Sequence, residues 1–423
     1  MKFSSLPPVR RAVPLKRGNA ASRLSMERFF ADRRITLYAS GTAALSRAMA
    51  ECAAKACVKA PEVILPAYGC PDLVAACVGA SVFPRLVDVA PSGWSYDAEG
   101  LETSVSSNTV AIIAVNLLGL GDGSADLHRF CQTKRISLIQ DSAQYLPRTS
   151  IEWPGDYVIL SFGRGKPMNL LHGGALIAPA GADYTRPLPS AHYSLRDRLL
   201  ASRAAAIAFN VLTRPHAYWL FSALPGTGLG EVVYKPLDNE APLPERAWER
   251  VGTAFAIYRA RQSYGRDIWA PAIDEWSTAG IVELGCPGSP PQSEPLRLAL
   301  LAPDRAARDT LVDSLNRYHL GASRFYGAEL TRIAGIPEFV RCQGSFPHAA
   351  LLADRLFTLP THELVTADTV HCARDVVRMW HHLPPTRQST PSIQRPRQVL
   401  EQGSIRSPDR PNRNQPNKPG CDQ

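Results

Sequence analysis

Four short segments of this 423-residue sequence carry residue types that could do chemistry, and each follows an apolar run typical of a β-strand. In an open α/β sheet, ligands bind beyond the carboxyl ends of the strands. The residue types suit phosphate binding, charge pairing and attack on a carbonyl group. The segments are Ser40-Gly41-Thr42-Ala43, Asp141-Ser142-Ala143-Gln144, Ser161-Phe162-Gly163-Arg164-Gly165-Lys166 and Gly119-Leu120-Gly121-Asp122-Gly123.

The first segment joins a predicted strand to a helix predicted at Thr42 to Lys55. Gly41 lets the backbone approach a ligand closely. The free N–H groups of the new helix and the Thr42 hydroxyl make an anion site suited to a phosphate. The same residues also suit an ordinary helix N-cap at Ser40 with no ligand, so this segment alone leaves both interpretations open.

The second segment places Asp141 at the end of the apolar run ISLIQ. A carboxylate at the mouth of a buried strand is costly to bury unpaired. It therefore favours a cationic partner such as Arg, a metal ion or a protonated ring nitrogen. The alternative is a helix N-cap with no ligand.

The third segment ends in Lys166, and its glycines allow a tight loop that turns this side chain inward. A desolvated lysine amine is a usable nucleophile for a carbonyl group. The alternative is a lysine on a flexible turn. A P-loop is excluded, because Leu160 stands where its first glycine belongs and Pro167 replaces the required Ser or Thr.

The fourth segment has the spacing G-x-G-x-G, and residue 124 is Ser where a dinucleotide-binding loop needs its third glycine. We predict a turn there, with a nicotinamide-dependent oxidoreductase as a minor alternative. The ten histidines show no H-E-x-x-H or comparable spacing, and His381-His382 lie near the C-terminal tail. No metal site is predicted.

The charge of the chain is concentrated at its two ends. The whole sequence has a net charge of +9. Residues 1–34 hold nine basic and two acidic residues. Residues 386–423 hold seven basic and three acidic residues. The segment between them, residues 35–385, is mildly acidic. This distribution argues against a nucleic-acid groove through the fold. The basic ends could still touch an anionic surface without sequence specificity.

The cysteine pattern favours a reducing compartment, and the apolar runs are too short for a signal peptide or a membrane span. The nine cysteines include no C-x-x-C pair, which predicts neither a disulfide framework nor a zinc ribbon. Leu6-Pro7-Pro8 and Arg10-Arg11 interrupt the run of about 7 to 15 apolar residues that a signal peptide needs. No apolar stretch reaches the roughly 18 residues of a membrane span. We therefore expect a cytoplasmic protein with no transmembrane segment.

Alternating strand-like and helix-like patterns organise the chain. From Ile35 to Ile177 they are typical of a parallel sheet covered by helices, and from Pro290 they suggest a smaller α+β unit. The predicted fold class is α/β with a mostly parallel sheet. The predicted organisation is a basic N-terminal segment at 1–34, a large domain at 35–270 with an unusual insert at 183–245, a small domain at 271–385 and a disordered Pro/Arg-rich tail at 386–423.

The insert contains an arginine-rich helical pattern from Leu195 to Leu212, an aromatic patch, and turns around Pro225-Gly226 and Gly228-Leu229-Gly230. Two interpretations of the helical pattern compete. It forms either an amphipathic face that touches a membrane or a partner, or a helix packed on the body with a solvated basic face.

Together, the order and spacing of the segments resemble the fold-type-I enzymes that use pyridoxal phosphate (PLP), and more narrowly the DegT/StrS-type sugar aminotransferase family. The resemblance covers about residues 35–178 and 290–382. The runs that carry it are ASGTAAL (39–45), VILPAYGCPDLVAACVGASVFPRLVDV (63–89), IQDSAQ (139–144), SFGRGKP (161–167), HGGALI (172–177), LGASRFY (320–326) and FTLPTHELVTADTV (357–370).

This resemblance implies a role for each site residue. Lys166 would hold PLP covalently and then move the proton between the amino-acid carbon and the cofactor. Asp141 would pair with the ring nitrogen and keep it protonated. Gln144 would lie near the phenolic oxygen of the ring. The residues implied for the phosphate are Gly41, Thr42 and Ser161.

The sequence departs from the family pattern in two places. Cys70 aligns where many members have an aromatic residue that stacks on the ring, with Tyr68 two positions earlier. The family's G-x-N-x-R-M segment, which usually reaches the neighbouring active site, is missing, and the insert with LGEVVYKP (229–236) stands in its place. His172 either approaches the cofactor or is a simple turn residue.

The resemblance implies a PLP-dependent aminotransferase. It would move an amino group from an amino acid such as glutamate to a keto group of a nucleotide-linked sugar, for a polysaccharide or a glycosylated metabolite. It also implies a homodimer with active sites at the interface. One alternative is a catalytically inactive regulatory or binding protein of the same fold. Another is a PLP-dependent sugar dehydratase, a branch in which histidine replaces the lysine that is present here as Lys166.

Overall fold

The computed structural model describes most of the chain up to residue 382. The described residues are 4–9, 12–15, 21–31, 33–91, 93, 95–120, 124–182, 184–185, 190, 194–222, 232–261, 265–285 and 295–382. Three predicted features lie outside them: the turns at 225–230, the loop residues 121–123 and the tail at 386–423.

One seven-stranded sheet carries the candidate site. In this sheet one strand, the seventh, runs antiparallel to both of its neighbours, and all other neighbouring strands pair in parallel. This arrangement confirms the predicted α/β fold with a mostly parallel sheet. The strands are β1 (Arg34–Tyr38), β2 (Glu62–Pro66), β3 (Phe83–Val87), β4 (Thr109–Val115), β5 (Ser137–Asp141), β6 (Tyr157–Ser161) and β7 (Gly174–Ala178), in the order β1-β7-β6-β5-β4-β2-β3.

Helices cover both faces of this sheet, which explains why its strands are continuous apolar runs. Successive residues of a strand pack into apolar clusters on opposite faces of the sheet. In β4, Ile113 packs in a cluster with the second and third helices of the chain, and Ile112 packs in a cluster with the fourth and fifth helices. The first five helices are α1 (Ala21–Phe29), α2 (Gly41–Ala56), α3 (Asp72–Ala80), α4 (Ala98–Ser104) and α5 (Ser124–Lys134).

The insert is helical, but the pattern predicted as one helical stretch is broken. It forms α6 (Leu195–Leu200) and α7 (Arg203–Leu212), followed by α8 (Pro215–Ser222). The break has a local cause, because the Ser202 hydroxyl accepts a hydrogen bond from the Ala205 N–H at 3.0 Å and starts a new helix.

The C-terminal part contains a second, three-stranded antiparallel sheet with its own core. Trp269, Trp276 and Trp380 are buried in that core. Its strands are β8 (Val282–Glu283), β9 (Arg297–Leu301) and β10 (Leu356–Pro360), in the order β10-β9-β8. The remaining helices are α9 (Ala247–Ala260), which packs on the large sheet, and α10 (Ala270–Trp276), α11 (Arg305–Arg317), α12 (Glu338–Arg341), α13 (Pro347–Arg355) and α14 (Ala367–His381).

Residues 4–9 contact the C-terminal part. The Leu6 N–H donates to the carbonyl oxygen of His319 at 2.9 Å. The buried His362 donates from Nε2 to the carbonyl oxygen of Pro7, also at 2.9 Å. Residues 6 and 7 are therefore held in place by His319 and His362 of the C-terminal part.

Three further features concern membranes, metals and disulfides. None of the helices in the described residues is both long enough and apolar enough to span a bilayer. Within the same residues, no group of three or more His, Cys, Asp or Glu side chains could hold a metal ion. The cysteines at 52, 57, 70, 77, 131, 342 and 372 are free thiols.

Candidate functional site

A cavity that opens to solvent lies at the carboxyl ends of β4, β5 and β6, beside the first turn of α2. The structure brings every residue predicted for the site to this one cavity. Those residues are Gly41, Thr42, Cys70, Asp141, Gln144, Ser161 and Lys166. Leu45, Asp72, Leu73, Val115, Asn116, Ala143 and Tyr326 also line it.

The start of α2 forms a tight cradle against β6 and β7. A Cβ atom on Gly41 would lie 2.8 Å from the Cβ of Ser161, and one on Gly174 would lie 2.5 Å from the Gly41 nitrogen. Neither position has room for a side chain. Ser40 is the helix N-cap, and its hydroxyl accepts from the Ala43 N–H at 3.0 Å. The N–H groups in the first turn of a helix have no intrahelical acceptor, so this cap coexists with an anion site.

Asp141 ends β5 inside the cavity. Its Oδ1 accepts a hydrogen bond from the Ala143 N–H at 3.0 Å. No helix begins at Asp141, because turns follow the strand, so the N-cap interpretation is wrong. Burial raises the pKa of this carboxyl, and Asp72 raises it further, whereas the Ala143 hydrogen bond and the charge of Lys166 act to lower it. Its charged form would therefore be stabilised by a nearby cation.

Lys166 is half-buried and lines the cavity from a tight loop. The Lys166 N–H donates to the carbonyl oxygen of Gly163 at 3.2 Å. Gly165 has φ +74°, and a Cβ atom there would lie 2.8 Å from Cγ2 of Val9. Positive φ and close contact both favour glycine at this position. The loop is thus packed on its neighbours and directs its amine inward.

Gln144 connects two parts of the chain at the cavity wall. Its Oε1 accepts from the Leu118 N–H at 2.8 Å, and its Nε2 donates to the Tyr326 hydroxyl at 3.0 Å. The predicted position of Gln144 near the phenolic oxygen of a cofactor stays a prediction.

Cys70 is half-buried and faces the same cavity. Burial raises the pKa of its thiol to about 12, so the thiol is protonated near neutral pH. Tyr68 is fully buried and is not one of the lining residues. Its ring packs instead on the ring of Tyr326, with centroids 5.6 Å apart.

Neither His172 nor residues 119–120 are among the described residues that line this cavity. His172 is half-buried elsewhere, with Nδ1 3.3 Å from the carbonyl oxygen of Leu170, and burial lowers the pKa of its imidazole. The segment at 119–123 begins in a 3₁₀ turn at Leu117–Gly119, and its last three residues are outside the described part.

Three lining residues with polar side chains were missed in the sequence. Asn116 follows β4 directly, and its N–H donates to the carbonyl oxygen of Asp141 at 3.0 Å. The strand-end rule that singled out Asp141 would have found it. Asp72 at the start of α3 had a weaker signal. Tyr326 comes from the C-terminal part, far away in sequence, and no local pattern marked it.

The comparisons with known proteins agree with this architecture. Residues 25–187 match the model of the DegT/DnrJ/EryC1/StrS aminotransferase family. A sequence search against curated proteins gives no match. The match to the family model confirms the predicted family resemblance, and it ends before α6 begins.

Solved structures share the fold at low sequence identity. An aminotransferase of this family from Brucella abortus is 17% identical, with a TM-score of 0.60 and coverage of 86% of this chain and 90% of that chain. NtdA from Bacillus subtilis, which has the bound cofactor PMP, is 15% identical, with a TM-score of 0.61 and coverage of 86% and 78%. The structure of 3-amino-5-hydroxybenzoic acid synthase is 18% identical, with a TM-score of 0.60 and coverage of 84% of this chain and 88% of that chain.

Proposed function

We propose that this protein is a PLP-dependent aminotransferase that moves an amino group from an amino acid, such as glutamate, to a keto group of a nucleotide-linked sugar. The match of residues 25–187 to an aminotransferase family model supports the enzyme class, and the structural likeness to NtdA, which has PMP bound, supports the cofactor. The donor, the acceptor and a biosynthetic role are the proposed part. The observation that carries the proposal is one cavity that unites Gly41, Asp141 and Lys166.

The cavity fits PLP in its donor set and its steric features. The first turn of α2 and the Ser161 hydroxyl offer hydrogen-bond donors to a phosphate, at a place where Gly41 leaves no side chain in the way. Asp141 is a buried carboxyl that a protonated ring nitrogen would stabilise in its charged form. Lys166 supplies an amine for the aldehyde carbon.

The residues of this chain would share the proton chemistry. Bound PLP supplies an electron sink for the negative charge that develops beside the amino nitrogen. Lys166 would take the proton from the amino-acid carbon and return it to the cofactor side, since it is the one amine that lines the cavity among the described residues. Asp141 would hold the ring proton in place.

Lys166 also favours amino transfer over sugar dehydration. A lysine stands at the position where the resemblance assigns the lysine of the aminotransferases.

We extend the proposal to the location, assembly and domains of the protein. It would be a cytoplasmic homodimer with a large domain at 35–270 and a small domain at 271–385.

The test is a visible absorption spectrum of the protein purified with PLP, before and after glutamate is added. We expect a band from lysine-bound PLP that decays with glutamate and returns with a keto acceptor. Lys166→Ala should lack this band, whereas Lys134→Ala, on the exposed side of α5, should keep it. A band that no amino donor changes would favour the inactive regulatory protein. Absence of PLP binding in the wild type would overturn the proposed function.

A further inference from the structure

Tyr326 reaches the candidate site from outside the large sheet. It lies in the turn region between α11 and α12 and is the one aromatic side chain among the described residues that line the cavity. The site residues predicted from the sequence all come from the segment between Gly41 and Lys166. Tyr326 is therefore the contribution of the C-terminal part to this cavity.

Neighbouring side chains fix the position of the Tyr326 ring. Its hydroxyl accepts from Nε2 of Gln144 at 3.0 Å. Its ring lies 4.2 Å from the ring of Phe325 and 5.6 Å from the ring of Tyr68, measured between centroids. Contacts on the hydroxyl and on the ring together leave the side chain few alternative rotamers.

The backbone before Tyr326 is also constrained. Phe325 has φ +56°, a left-handed conformation that costs free energy for a bulky residue. The Phe325 N–H donates to the Ser323 hydroxyl at 3.1 Å, and Ser323 pairs with Thr358 of β10 through backbone hydrogen bonds. The small sheet thus supports the turn that carries Tyr326 to the cavity.

No other aromatic side chain is among the described residues that line the cavity. Its apolar lining consists of Leu45, Leu73, Val115 and Ala143, and its lining near Asp72 includes the small thiol of Cys70. A planar aromatic ligand gains most from an aromatic partner at its face or edge. Tyr326 is the residue that can provide this contact.

We infer that Tyr326 is a cofactor-binding residue, which supplies the aromatic contact to the ring of the cofactor and is positioned for it by Gln144. The inference rests on the proposed function. It goes further by making the C-terminal part necessary for tight cofactor binding. The contact is one of ring against ring, so the phenol hydroxyl is needed only for positioning.

The experiment is a titration of apo-protein with PLP, followed by absorbance, to obtain the dissociation constant of each variant. Tyr326→Leu should weaken binding about 3- to 10-fold, because it removes the aromatic contact. Tyr326→Phe keeps the ring and should stay within about twofold of the wild type. The matched control is Tyr318→Leu, at the end of α11, where the tyrosine is half exposed and distant from the cavity lining.

The outcomes separate this inference from the proposed function. Failure of the wild type to bind PLP would overturn both. Wild-type affinity in Tyr326→Leu would overturn the inference alone, and so would equal weakening in Tyr326→Phe and Tyr326→Leu, because the hydroxyl would then carry the contact. The melting temperature of each apo-protein reports on folding. If Tyr326→Leu does not fold, Tyr326→Met carries the same expectation with a larger, flexible side chain.

Discussion

The candidate site cavity and the outer surface of α6 to α8 differ in what their side chains contact. In the cavity, the key polar groups are half-buried and lie among partners from three strands and one helix. On α6 to α8, large apolar side chains face water instead, and Leu195 is 74% exposed. We call this surface the outer helical face, and it consists of Leu195, Leu199, Ile207, Val211, Leu212, Leu220 and Phe221.

We assign the predicted chemistry to the cavity and predict association with a partner at the outer helical face. The predicted site residues are brought together by the fold of one chain. The outer helical face leaves apolar surface in water, which is typical of a surface that meets a partner. The inner side of α7 packs on the body, where Ala206 is buried with Val13 and Leu171, so both interpretations of the helical pattern stay open and a partner contact at the outer helical face stays a prediction. Variants should therefore affect the two regions independently.

The largest expected effect is on turnover, from Lys166→Arg. Arginine keeps a positive charge but cannot act as the amine nucleophile and base. We expect a loss of about 10³-fold in the rate of amino transfer, measured with glutamate and a keto acceptor. Arg164→Lys, on the exposed part of the same loop, should change the rate less than about twofold. Equal losses in both variants would mean that loop packing matters more than the amine.

Asp141→Asn should have the next largest effect. The amide cannot hold the ring proton through a negative charge, so we expect about a 10²-fold loss in turnover. PLP binding should weaken much less, because the phosphate cradle is intact. A titration and a rate measurement on the same sample separate the two. Loss of binding equal to the loss of rate would assign Asp141 to affinity alone.

The same variant predicts a change in pH dependence. Burial raises the pKa of Asp141, so the folded apo-protein binds this proton more tightly than the unfolded chain does. The contribution of Asp141 to stability is then fully present below its unfolded pKa of about 4 and is lost as pH rises through the folded pKa. Asp141→Asn should therefore gain melting temperature relative to the wild type between pH 4 and 7. If the difference in melting temperature between Asp141→Asn and the wild type stayed constant from pH 4 to 7, this prediction would be wrong.

A smaller effect is expected from Gly174→Ala. The added Cβ would lie 2.5 Å from the Gly41 nitrogen and push the start of α2 away from β7. Overpacking of this kind costs about 1–3 kcal/mol of unfolding free energy. PLP affinity should fall as well, since the displaced turn is the phosphate cradle. Gly93→Ala is the control, because a Cβ there would meet no atom within 4 Å.

The smallest effect on chemistry is expected from Leu195→Ser combined with Leu199→Ser. If the outer helical face is the subunit contact, the dimer fraction should fall in analytical ultracentrifugation while the PLP band stays unchanged. Leu24→Ser on α1, where the leucine is 54% exposed, is the matched control. Unchanged association would mean that this face contacts something other than a second copy.

Local signals were enough to predict the large sheet and most of the site. β2 and β6 are each a short apolar run followed by a turn, which is the pattern that predicts a buried strand. Gly41, Asp141 and Lys166 were found because each stands at or just after a strand end. The parallel topology then brings such ends together at one edge.

Long-range contacts explain what the sequence did not reveal. The hydrogen bond between Gln144 and Tyr326 joins residues 182 positions apart, and no periodicity encodes it. The helix breaks between α6 and α7 because Ser202 caps a new helix and does not continue the first one. The spacing of apolar residues does not distinguish these two outcomes. The role of each site residue still depends on the family resemblance.

The contacts of residues 4–9 have a consequence for the order of folding during synthesis. Val9 packs on Gly165 in the lysine loop, and Pro7 is bonded by His362, which leaves the ribosome 355 residues later. Contacts of such separation form late, because a long loop must close first. A nascent chain that has completed the large sheet still lacks the C-terminal anchor of its first residues. We expect the lysine loop to reach its final packing only when nearly the whole chain has been made.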